Sequence, residues 1–214
     1  ESRLIYVGGA RGSIGVYDSE TGRVLDRIEG AHGDNGVLMV EELRLDNQGV
    51  IFASQARDGY LRFWSVRAEK DSAEISPLPE LAAKKMRIVL QPFSSPVFVG
   101  GEAFCKAAFL KKEGLAATCS ERGSIAVWDY QEVLNFVPIK SGSNDTHFAP
   151  KCCVMYDGSK HGMCMSLQLI AATEWTPTSL MAGFEDGSIL AWSLTEVDSI
   201  SPQGQPQVVL FYTL

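Results

Sequence analysis

The chain has 214 residues, 45 % of them hydrophobic, and a net charge of −7 with a pI near 5.0. It is long enough to bury a core as one large domain or two small ones. Its acidity argues against nucleic acid as a partner, because phosphate contacts need a basic surface. No apolar run reaches the roughly 18–20 residues of a membrane helix, so no membrane partner is expected either.

Turn signals break the chain into strand-length pieces. "ARGSIGVYD" (10–18) is followed by a strand pattern at 23–29. A second group has strand patterns at 36–46, 50–55, 60–66 and 84–93, with "RDGYLRFWS" (57–65) across its third. Asp-Gly between two apolar runs is a strong hairpin signal. "ERGSIAVWD" (121–129) precedes a strand pattern at 151–157, and "EDGSILAWS" (185–193) precedes one at 208–214. In all four stretches an aromatic lies five positions after a glycine: Gly12 to Tyr17, Gly59 to Trp64, Gly123 to Trp128, Gly187 to Trp192. Period-2 alternation then puts that aromatic on the same face of every third strand.

The glycines are spaced by 47, 64 and 64 residues. Each long step holds a polar insert, 67–84 or 131–150, of 18 and 20 residues. Without the inserts the steps are 46 and 44, close to the ~40–45 residues of a four-stranded propeller blade. The expectation is an all-β chain of about four blades: 3–30, 31–94, 101–158 and 161–214.

These features resemble the WD40-repeat β-propeller family, whose repeat has Gly-His before its first strand and Trp-Asp closing its third. His32 precedes Trp64 by 32 positions and His161 precedes Trp192 by 31. The resemblance implies a buried hydrogen-bonded set of histidine, hydroxyl, turn Asp and tryptophan. Matched by position, it falls on His32, Ser54, Asp58 and Trp64 in the second unit. The third unit keeps Thr118 and Trp128. The fourth keeps His161, Asp186 and Trp192, with Ala182 in place of the hydroxyl. Across residues 4–194, and most specifically in "GFEDGSILAW", the chain is similar to the G-protein β-subunit-like and ASTRA-associated WD-repeat group. That group is seven-bladed, so the resemblance implies a partial ring whose first blade lacks its inner strand.

No Ser-His-Asp or Cys-His set stands apart from the repeats, and "GGARGSIG" (8–15) is not followed by the GK[ST] or the helix of a phosphate loop. No catalytic residue, cofactor or metal is expected. The five cysteines (105, 119, 152, 153, 164) lack CxxC or zinc spacing and read as reduced thiols of a cytoplasmic or nuclear protein. Cys152 and Cys153 are adjacent and should face opposite ways.

Candidate partner-binding residues lie on turns. Arg57, Glu121, Arg122, Phe184 and Glu185 share the turns between second and third strands, and Trp175 lies in "ATEWTPTS" (172–179). The expected function is a non-enzymatic scaffold for other proteins. The resemblance implies a place in co-chaperone or chromatin-associated assemblies of phosphatidylinositol-3-kinase-related kinases. The alternatives are a heterotrimeric G-protein β-like subunit, which needs an N-terminal coiled-coil helix, and a ligand-binding or enzymatic propeller. Unpaired sheet flanks predict that the isolated chain associates.

Overall fold

A computed structural model describes residues 4–46, 49–70, 86–100, 105–120, 123–135, 148–194 and 209–213. Among the described residues the chain is all-β apart from two short helices, and its antiparallel sheets are compatible with a β-propeller. Two compact units are present: residues 1–56 with 62–95, and residues 57–61 with 96–214. Among the described residues no helix is long and apolar enough to cross a membrane.

In the first unit, β1 (Leu4–Gly8), β2 (Ile14–Asp18) and β3 (Val24–Ile28) form a three-stranded sheet. β4 (Ala31–Asp34) carries His32 toward β5 (Val37–Asp46). β5, β6 (Gly49–Ala56), β7 (Tyr60–Lys70) and β8 (Met86–Pro92) then lie in that order in one sheet. Ile14, Val16, Val50, Phe52, Trp64, Val66 and Leu90 make the core, and Tyr6 stacks on Phe52 at 4.7 Å. The Asp26 carboxylate accepts a 2.7 Å bond from the Leu90 amide, tying β3 to β8.

The first two residues of β7 belong to the second unit, where they pair with β9 (Val97–Phe98). β10 (Ala108–Leu110), β11 (Leu115–Ser120), β12 (Ser124–Asp129) and β13 (Cys152–Met155) form one four-stranded sheet. Helix α1 (Tyr130–Asn135) follows β12, and α2 (Gly158–His161) follows β13. β14 (Cys164–Ile170), β15 (Ser179–Phe184), β16 (Ile189–Ser193) and β17 (Val209–Thr213) form the other four-stranded sheet. Cys152 is buried and Cys153 exposed, as adjacent strand residues must be.

All four repeat glycines, Gly12, Gly59, Gly123 and Gly187, have φ between +69° and +85°. A side chain is strained in that region, and at Gly12 a Cβ would also meet the Gly33 carbonyl oxygen at 2.4 Å. The repeated sequence signal is therefore a backbone requirement at each turn.

The inserts start differently from the expectation. Residues 67–70 continue β7 and pair with β8, from Arg67↔Val89 to Lys70↔Met86. At 131–135 the chain is helical because Asp129 caps it, its Oδ1 accepting from the Gln131 and Glu132 amides at 3.0 and 3.3 Å. Tyr130, Val133 and Leu134 bury one face of that helix. Residues 71–84 of the first insert and 136–147 of the second lie outside the described residues.

Candidate functional site

In the first unit a buried hydroxyl serves two donors. Trp64 Nε1–H donates to Ser54 Oγ at 2.7 Å, and His32 Nε2 lies 2.7 Å from the same oxygen. His32, Ser54 and Trp64 are 1, 0 and 3 % exposed, so water cannot replace these bonds. On the other side of the ring, Arg62 Nε–H donates to His32 Nδ1 at 3.2 Å. With Arg62 as the donor, the Nε2–H tautomer fits these two contacts. In that tautomer Ser54 Oγ accepts from both rings. Asp58 belongs to the second unit, where its carboxylate accepts from the Tyr60 amide at 3.1 Å and closes the β6–β7 turn.

The second unit holds a related bond between β11 and β12. Trp128 faces Ala116 across the ladder and reaches diagonally to Thr118, its Nε1–H donating to Oγ1 at 2.8 Å. The hydroxyl and the indole are again ten residues apart, as in Ser54 and Trp64. In the next sheet the corresponding position is Ala182, and the histidine turns to other partners. His161 Nδ1 lies 3.0 Å from Asp186 Oδ2 and 2.9 Å from Ser188 Oγ. A carboxylate only accepts, so here the ring proton sits on Nδ1. The Ser188 hydroxyl and amide, assisted by His161, hold the Asp186 carboxyl down to about 2.

The exposed candidates separate. Arg57 and Glu185 are exposed, whereas Glu121 and Arg122 lie outside the described residues. Glu185 is tied down through its amide, which donates to the Met163 carbonyl at 3.0 Å. Phe184 is a correction: it is 5 % exposed. It closes β15 on the same face as Leu180 and Ala182, with the Tyr156 ring at 4.6 Å and the His161 ring at 5.5 Å. It offers no surface to a partner.

Trp175 is 89 % exposed, at the tip of the loop between β14 and β15. Thr173 Oγ1 accepts from the amides of Trp175 and Thr176 at 3.2 and 3.0 Å. Glu113 grips both arms of the loop: Oε1 accepts from the Ala172 amide at 3.2 Å and Oε2 from the Thr178 hydroxyl at 2.6 Å. The loop is ordered around an indole that packs on almost nothing.

Sequence spacing does not reveal one cluster. Cys105, Cys119 and Cys164 converge in the core of the second unit with all three sulfurs within 4.8 Å of one another. Residues 14 and 45 apart carry no local motif. Only the strand pairing brings them together.

No family model matches the chain, and no curated protein sequence matches it. Among solved structures it resembles Raptor of Chaetomium thermophilum, at 16 % identity and a TM-score of 0.54. That match covers 99 % of this chain and 16 % of Raptor, so the chain spans a small part of that protein. The computationally designed Ika4 protein aligns over 90 % of this chain and 86 % of its own, at 17 % identity and a TM-score of 0.44. At such identity the Raptor likeness concerns the fold alone.

Proposed function

We propose that the sheets are blades of a WD40-type β-propeller and that the chain is a non-enzymatic scaffold for other proteins, with Trp175 as a principal contact. The Trp64–Ser54 and Trp128–Thr118 bonds at a common offset support the WD40 reading. The sequence resemblance supports an assembly that handles phosphatidylinositol-3-kinase-related kinases, in the cytoplasm or nucleus. One observation carries the docking role: a tryptophan 89 % exposed on a loop held at both arms by Glu113.

An exposed indole normally folds back onto the protein surface, since burying it is favourable by a few kcal/mol. Here hydrogen bonds hold the loop backbone, and the ring stands out from it. A tryptophan on a held backbone has only its two side-chain torsions to order on binding and makes an effective anchor. Arg57 and Glu185 add exposed charge elsewhere on the turns.

The test compares quantitative affinity purification of the chain and its Trp175→Ala variant from the source cells. Specific partners should fall by about 30-fold or more in the variant, the factor for an anchor of ~2 kcal/mol. An unchanged partner set would refute Trp175 as the contact.

A further inference from the structure

Three thiols meet in the second unit from three separate places. Cys105 precedes β10, Cys119 lies within β11, and Cys164 opens β14. They are 0, 4 and 6 % exposed, and none is in a disulfide. Cys105 Sγ and Cys164 Sγ are 3.9 Å apart, and all three sulfurs lie within 4.8 Å. Burial alone has a simple explanation, because cysteine fills a core as a small hydrophobe. That explanation gives the sulfurs no reason to face one another.

We propose that Cys105, Cys119 and Cys164 form a buried three-sulfur site for a soft monovalent metal ion, Cu(I). Thiolate sets select Cu(I), zinc and iron–sulfur clusters. Structural zinc takes four ligands and iron–sulfur clusters take four cysteines. Among the described residues no fourth His, Cys, Asp or Glu joins this group. Cu(I), with its filled d shell, accepts three sulfurs in a plane. With metal–sulfur bonds of about 2.3 Å, such an ion holds its sulfurs about 4 Å apart. The Cys105–Cys164 pair already has that span, and the other pairs need to close by less than about 1 Å.

The thiols release their protons to solvent as they bind the ion, with no change in oxidation state of sulfur or copper.

The experiment titrates the reduced 214-residue chain, without oxygen, with Cu(I) bound to bicinchoninate. The expected result is withdrawal of one Cu(I) per chain and an X-ray absorption spectrum showing three sulfurs at about 2.3 Å. Cys119→Ala and Cys164→Ala should each abolish uptake, whereas the Cys152→Ser/Cys153→Ser double variant should keep it. The native-chain coordination number does not depend on whether an alanine variant folds. No uptake by the native chain, a two-sulfur spectrum, undiminished uptake in Cys164→Ala, loss of uptake in the Cys152/Cys153 double variant, or retention of zinc in preference to Cu(I) would each overturn the site.

Discussion

His32 and His161 begin from the same repeat position and end in opposite states. His32 is sealed between Ser54 and Arg62, with Trp64 sharing the Ser54 oxygen. His161 lacks a hydroxyl at Ala182 and binds the turn residues Asp186 and Ser188 instead. In the first set His32, Ser54 and Trp64 are buried and Arg62 is half-buried. The other has its carboxylate at the surface, with the Asp186 side chain 36 % exposed. Ala182 stands where Ser54 and Thr118 carry hydroxyls, and in that sheet the histidine is bonded to the turn residues. The sealed set contributes through the cost of breaking it. The open one is solvated and contributes less.

That contrast orders the expected effects of substitution. Ser54→Ala strips the acceptor from two fully buried donors, and should cost roughly 2–4 kcal/mol. Urea unfolding followed by tryptophan fluorescence measures it, and a loss below about 1 kcal/mol would mean the set does not lock the sheet. Thr118→Val leaves only the Trp128 indole unpaired and should cost about 1–2 kcal/mol in the same assay.

Asp186→Asn probes the open set through pH. The folded carboxyl lies below its ordinary 3.8, at about 2. A depressed pKa stabilises the folded state above the unfolded value, and that contribution fades as pH falls through the folded one. The stability gap between wild type and Asp186→Asn should therefore be constant above about pH 4 and shrink between pH 4 and 2. A gap that does not change across that range would contradict the assignment. Trp175→Ala has the smallest expected effect on folding, within about 0.5 kcal/mol, because the ring buries so little. A clear drop in midpoint would mean that Trp175 is a packing residue.

Much of the sheet framework is legible in the sequence, for local reasons. Positive φ at four turns demands glycine, and period-2 alternation carries Trp64, Trp128 and Trp192 inward, whereas Tyr17, beyond a register shift, is only half-buried. The fourth strands are also visible, as short apolar runs of the right length: β3, β8, β13 and β17 fall within the segments expected. Helix α1 lies where the sequence suggested only a polar insert, although its signal is present. Asp129 with Glu132 three residues on has the form of a capped helix start, and Tyr130, Val133 and Leu134 have helical spacing. Phe184 looks like a turn residue beside Glu185, yet the alternation through Leu180 and Ala182 already places it inward. The Cys105–Cys119–Cys164 cluster is different, since it depends on pairings between segments far apart in the chain. The partners of His161 are half legible: Asp186 by its repeat position, Ser188 only from the hydrogen bonds.

Long-range proton–nitrogen NMR of the histidine rings tests the contrast most directly, because it reports which ring nitrogen carries the proton. His32 should be the Nε2–H tautomer, and His161 should carry its proton on Nδ1. The same tautomer on both rings, or a proton on Nδ1 of His32, would contradict the contrast.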